Sequence, residues 1–288
     1  MIEATPQTQV RPTAPPRVEK HGGNWRTYLL GAHSTLMYVF LYAPIVVLVL
    51  FSFTTDGFGV RMTGFTFDWY ARLLNDERLV EASLNTLKVA LVSTLVSTII
   101  GTLTALAMER YRFRGKAGFD ALLYLPIVIP EIVMALSLLA FFAFTFGIIQ
   151  NITGWQPRLS LTTVIISHIA FSISFVVVVV RASLKGFDQR LEEAAKDLGA
   201  NEWQTFWRIT FPLILPGIIG GALLAFTLSL DDFIISFFTT GPGASLLPVE
   251  VYASVKRSVT PKINAISTVM LVLSMTLVGI SQFIQRRR

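Results

Sequence analysis

Six apolar runs decide what this chain can be. They fall at about 34–53, 86–108, 120–146, 162–180, 213–238 and 264–284. Each is long enough to cross a hydrocarbon layer of roughly 30 Å as a helix. Only 15% of the residues are charged, where a soluble domain carries roughly a quarter. Burying six such runs in one soluble core is therefore the weaker account. The expected fold class is all-α and integral to a membrane, with six transmembrane helices. Residues 1–30 are polar and contain Pro6, Pro12, Pro15 and Pro16. They read as a disordered tail without a cleavable signal, so the first helix is expected to stay as an anchor. The membrane domain is then 31–288.

Lysine and arginine set the orientation. Sixteen of the 24 basic residues fall on the side that holds both termini, the 110–116 connection and the 181–211 loop. That side is expected to be cytoplasmic. Basic residues at helix ends beside anionic lipid explain the net charge of +6 without any nucleic acid. Two long connections are expected on the other side. Residues 54–85 hold a short amphipathic helix expected to lie at the surface, and 239–262 form an ordered loop with a short helical piece and Gly-Pro-Gly punctuation.

Several chemistries are absent from the sequence. Cysteine does not occur, which removes disulfides and thiol catalysis. No GxxxxGK[ST] loop is present, because Gly115-Lys116 is followed by alanine and lacks the upstream glycine. His21, His33 and His168 have no metal-ligand spacing, and His168 reads as a satisfied residue within a helix. The Arg110–Lys116 cluster reads as a membrane anchor. The chain is not expected to be an enzyme or to bind a cofactor or metal.

Asp188 to Pro212 interrupts the apolar pattern. Leu191, Ala194, Ala195 and Leu198 share one helical face. Asp188 can cap its start, acidic Glu192 and Glu193 suit the first turns, and Gly199 suits a left-handed stop. Asn201 with Gln204 resembles a capping box for a second short helix, with Trp203, Phe206, Trp207 and Thr210 on one face and Pro212 closing it. From physics alone, the pair reads equally as a docking element or as interfacial helices.

Charge inside the apolar runs is the other signal, since a carboxylate near the bilayer centre costs at least about 2.5–3.5 kcal/mol and turns to protein or water. Glu131 lies about 16 Å along the helix from Asp120, in a span that Pro126 and Pro130 should kink. Asp231 and Asp232 lie roughly 28–30 Å beyond Pro212. Adjacent residues on a helix point about 100° apart, so one aspartate is expected to line a path and the other to hold a neighbouring element. Buried hydrogen bonding is the alternative for all three. Phe233, Phe237 and Phe238 could add cation–π attraction.

The stretch "EAAKDLGANEWQTFWRITFP" resembles the EAA motif of ABC importer permeases through Glu193, Ala194, Ala195, Gly199, Ile209 and Pro212, with Phe211 where leucine is usual. "PEIVMALSLL" and "LSLDDFIISFF…KINAISTVML" are similar to the spermidine/putrescine permeases of PotC-like type. The resemblance departs at Lys262, where glutamate is common in that family. It implies the type I (MetI-like) importer fold, with 181–211 as the loop that couples to an ATPase. It further implies ATP and Mg in that separate ATPase dimer, a second paralogous permease, an extracytoplasmic binding protein, and a place in the bacterial inner membrane. Glu131, Asp231 and Asp232 become the candidate substrate pathway. A stand-alone secondary transporter or channel for a small cation is the alternative reading.

Overall fold

The computed structural model describes residues 25–57, 61–186, 188 and 190–286. Most of the expected tail, and Arg287 and Arg288 of the C-terminal cluster, lie outside these. Helix α1, Trp25–Phe51, takes in residues 25–30 that the sequence reading gave to the tail. Trp25, Tyr28, Leu29 and Leu30 extend the apolar pattern backwards, which explains the earlier start. The chain divides into two units at Val47/Leu48. Within the first, Thr35 donates to the Gly31 carbonyl at 2.9 Å, and the rings of Tyr38 and Tyr42 stack one turn apart.

The second unit holds α2 (Asp68–Leu74), α3 (Glu77–Arg110), α4 (Lys116–Val128), α5 (Glu131–Thr153), α6 (Leu161–Lys185), α7 (Arg190–Asp197) and α8 (Glu202–Thr205). A π-helical turn (Phe206–Thr210) leads into α9 (Phe211–Asp231), followed by α10 (Ile234–Thr239), α11 (Leu247–Val255) and α12 (Pro261–Arg286). Among the described residues there is no strand beyond one isolated bridge, Thr54 with Phe65. Six helices are long and apolar enough to cross a membrane: 27–51, 77–110, 131–153, 161–185, 202–231 and 261–280. The protein is an all-helical, multi-pass membrane protein.

Helices α3, α6 and α9 form the centre. Lipid tails are as apolar as leucine, so spans associate through close packing rather than through a drive to leave water. Small residues provide that packing. Val176 of α6 fits between Gly101 of α3 and Gly221 of α9. A Cβ added at Gly101 would sit 2.7 Å from Val176 Cγ1, and one at Gly221 would lie 3.4 Å from Val176 Cα. Around this contact Ala105, Val177, Val180, Ile214 and Ala225 are fully or almost fully buried.

Two expected spans are interrupted. The 120–146 run is not one kinked helix. Ile129 (ψ 137°) and Pro130 (ψ 131°) are extended and separate α4 from α5. Pro130 has no N–H to continue the ladder, and its ring disfavours helical geometry at Ile129. The 213–238 run breaks at Asp232 (ψ 121°), and α10 restarts at Ile234. At the other end of α9, Pro212 does not close the second loop helix. It lies in the first turn of α9. The π turn, ending in a bond from Phe211 N–H to the Phe206 carbonyl, shifts the bonding register just before the residue that cannot donate.

The connections expected on the exterior side fold into one lobe. Leu73 of α2, together with Trp69 and Tyr70, packs on Leu247, Ala265 and Ile266, so α2 is built into the lobe rather than lying free on a surface. Asp76 caps α3 by accepting from Leu79 N–H at 3.2 Å and also pairs with Lys262. Lys262 is therefore neutralised by a partner 186 residues away. Arg78 and the buried Glu250 form a second pair at 2.8 Å, and Ser245 donates to Glu250 at 2.6 Å.

Two outcomes follow. Gly101→Ala should destabilise the solubilised protein by about 1–3 kcal/mol, because overpacking forces Val176 to move; thermal unfolding in detergent measures it. The hydrogen bond from Lys262, helped by its charge and by the Leu79 and Arg78 amides, holds the Asp76 carboxyl below its ordinary value against the effect of burial. A depressed folded pKa adds stability above the unfolded value near 3.9 that is lost as pH falls through the folded one. Unfolding temperature should therefore drop in that acid range, and Lys262→Met should flatten this part of the profile.

Candidate functional site

The two helix breaks meet. A helix that restarts inside an apolar layer exposes N–H groups that water cannot satisfy. Asp232 supplies the acceptors. Its Oδ1 takes Ile235 N–H at 3.2 Å, and its Oδ2 takes Ser236 N–H at 2.7 Å. The same Oδ2 lies 3.2 Å from Nε2 of His168, which is 2% exposed. A carboxylate needs a donor, so Nε2 carries the hydrogen there. Nδ1 is then left to accept from Ser229 Oγ at 2.7 Å, and Ser229 is hydrogen-bonded to Ser93 Oγ at 3.1 Å. Ser236 Oγ also lies 3.1 Å from Nε2. One buried polar chain thus joins α3, α9, α6 and α10.

Glu131 is the first residue of α5, immediately after the Ile129–Pro130 break. Counting helical rise from Asp120 does not locate it, because the chain is extended in between. Its carboxyl lies close enough to that of Asp232 for the two to interact. Two facing carboxyl groups need a shared proton or a cation between them. Asp231 points elsewhere: it is exposed and accepts from Ser274 Oγ of α12 at 3.1 and 3.3 Å. The structure therefore brings together Glu131 and Asp232, and leaves Asp231 holding a neighbouring helix. The phenylalanines are occupied by ring contacts. Phe233 and Phe237 lie against Tyr252, and Phe238 packs with Ala135, Phe171 and Ile235.

His168 is the residue that sequence reasoning underrated. It is satisfied, as expected, but by partners on both sides of the α9/α10 break rather than within its own helix. Ser93, Ser229 and Ser236, each inside an apolar run, were the signal that a buried polar partner existed. Among the described residues, no group of three His, Asp or Glu is arranged to hold a metal ion.

The loop between α6 and α9 has the local form its sequence dictates. Asp188 accepts from Arg190 N–H at 3.0 Å, Gly199 adopts φ +88°, and Asn201 with Gln204 forms a reciprocal capping box. Nothing lies within 4 Å of a Cβ placed on Gly199, so only its backbone conformation calls for glycine. Glu193, Ala194 and Gly199 are exposed, while Ala195 and Ile209 are partly buried. Leu198 is 89% exposed and Trp203 70%, an apolar surface on an otherwise charged pair of helices. Lys196 and Glu202 tie α7 to α8 at 2.7 Å.

Comparison with known proteins matches residues 97–288 to the family described as "Binding-protein-dependent transport system inner membrane component". The spermidine/putrescine transport system permease protein PotC of Escherichia coli (strain K12) is 43% identical over 258 residues, covering 90% of this chain and 94% of that protein. The putrescine transport system permease protein PotI of the same organism is 39% identical over 248 residues, covering 86% and 85%. The crystal structure of a bacterial ABC transporter involved in the import of the acidic polysaccharide alginate superposes with a TM-score of 0.72 at 22% identity. It covers 91% of this chain and 96% of that one, a likeness of fold.

The two aspartates should separate in stability. Asp232→Ala leaves buried N–H groups and His168 without their acceptor and should cost about 1–3 kcal/mol. Asp231→Ala removes one interhelical hydrogen bond and should cost about 0.6 kcal/mol. Paired unfolding curves in detergent read the difference.

Proposed function

The chain belongs to the family of binding-protein-dependent transport system inner membrane components, and from that premise we propose that it is a transmembrane subunit of an ATP-driven importer for polyamines of the spermidine/putrescine type. The observation that carries this reading is the likeness to curated polyamine permeases along nine-tenths of the chain. The paired carboxyls of Glu131 and Asp232 support it, since a cationic amine compensates what an anion would aggravate. Glu131 and Asp232 line the path from two helix breaks. Asp231 belongs to its margin, fastened to α12. Lys262, neutralised by Asp76, does not oppose a cation.

The chain contributes half of the path, and a second, paralogous permease contributes the rest. Hydrolysis takes place in an ATPase dimer that holds ATP and Mg. This subunit itself binds no cofactor and is not an enzyme. The 181–211 loop is the coupling element, with Glu193, Ala194, Ala195, Gly199, Ile209 and Pro212 as its motif residues. Its exposed leucine and tryptophan surface is what a docking groove would cover. An extracytoplasmic binding protein delivers the amine to the opposite face. Both termini are cytoplasmic, the protein lies in the bacterial inner membrane, and the membrane domain expected from residue 31 begins with α1. A stand-alone transporter or channel is not favoured, because it gives the capped, exposed loop no purpose.

The test is uptake of labelled putrescine and spermidine by the reconstituted four-part system. Asp232→Asn should lower the maximal rate about tenfold, the size expected when a charge acting on the moving substrate is removed. Asp231→Asn should lower it less, and capture by the binding protein should be unchanged in both. Full-rate transport by the double Asn variant would remove the pathway role. Accumulation without the ATPase would reject the importer reading.

A further inference from the structure

The glutamate of the EAA motif is not the one that holds the loop in place. Glu193 is exposed, whereas the side chain of its neighbour Glu192 is 18% exposed. Oε1 of Glu192 receives both the Arg110 guanidinium and the Thr210 hydroxyl. Arg110 Nη2 also donates to Thr210 Oγ1 at 3.2 Å, which closes the set into a ring. Thr210 is fully buried. The three residues come from three elements: the last residue of α3, the first turn of α7, and the last residue of the π turn beneath α9.

We propose that Glu192 is the positioning residue that fastens the coupling helix to α3 and α9, so that displacement of α7 by a docked ATPase moves both spans together. Both helices then carry the movement to the pathway. Ser93 of α3 and Ser229 of α9 are hydrogen-bonded to each other and, through His168, to Asp232. Ser93 lies 17 residues before Arg110, about 26 Å along the helix. The residue next to Arg110 widens the grip. Glu109 lies 3.5 Å from Arg181 of α6, and Arg181 pairs with Asp120 of α4 at 2.5 Å. Helix α4 ends at the break that precedes Glu131. Glu192 has no contact with the path, and Glu193 is left free for the partner. Charge-assisted hydrogen bonds to a partly buried carboxylate suit this task because they are short and directional.

The proposal rests on the importer reading, and the chain offers a direct test because it contains no cysteine. The double variant R110C/E192C, assembled with its partners in liposomes, is measured before and after joining the two thiols with a short bis-thiol reagent. The readouts are ATP hydrolysis and labelled putrescine imported per ATP. Before linking, hydrolysis should stay within about twofold of the parent while import per ATP falls about tenfold, the scale by which coupling residues act. After linking, import per ATP should return to within about threefold of the parent, since the same polypeptide regains a fixed joint. An unlinked variant with the parent ratio, or a linked one that does not recover, overturns the role of Glu192 alone. A parent complex without ATP-dependent uptake overturns the importer reading and this proposal together. If the double variant does not assemble, Arg110→Gln reads the same ratio: loss of import per ATP supports the joint, and the parent value refutes it.

Discussion

In hydrocarbon a backbone has no water to bond with, and this structure is organised around that constraint. Helices α3 and α6 meet it internally and run without interruption. Helix pairs α4/α5 and α9/α10 do not, because Pro130 cannot donate and the chain turns extended at Asp232. Each break therefore needs a substitute partner. At the second break the substitute is a carboxylate, which itself must be satisfied, and His168 with its serines does so. The acidic site is thus a consequence of how the interruption is repaired.

Close packing makes this arrangement possible. Without Gly101 and Gly221 on either side of Val176, α3 and α9 would stand further from α6. Ser93, Ser229 and His168 would then fall out of hydrogen-bonding range. Small residues at Gly101 and Gly221 and hydroxyls further along serve one purpose: they let three backbones run side by side while their few polar groups find one another. The lobe of α2, α11 and the start of α12 closes the opposite end with two ion pairs, each joining residues far apart in sequence.

What the sequence made legible was local. Six spans follow from the length of apolar runs. The caps at Asp188, Gly199 and Asn201 follow from interactions within four residues. Membership of the importer family follows from the spacing around Glu193. The contacts that sequence left hidden are long-range. Nothing near Lys262 in sequence announces its partner, because Asp76 lies just before the second span. His168 looked self-contained because its partners are about 60 residues downstream. Glu192 looked like an ordinary first-turn acid because Arg110 and Thr210 become its neighbours only in the folded chain. The two breaks were half visible. Proline announced the first, but nothing local announced that α9 would stop at Asp231.

The π turn at Phe206–Thr210 fixes a rotational phase. A π turn takes up more residues than an α turn while keeping the helix axis nearly continuous. The stretch 202–231 therefore behaves as a single rod with one residue wound into its base. Were that residue lost, everything before the turn would swing by about 100° relative to everything after it. Trp203 and the exposed loop face would then point away from the side on which Ser229 and Asp232 are arrayed. The exposed loop face and the face that carries Ser229 and Asp232 are thus set in azimuth by the five residues between them.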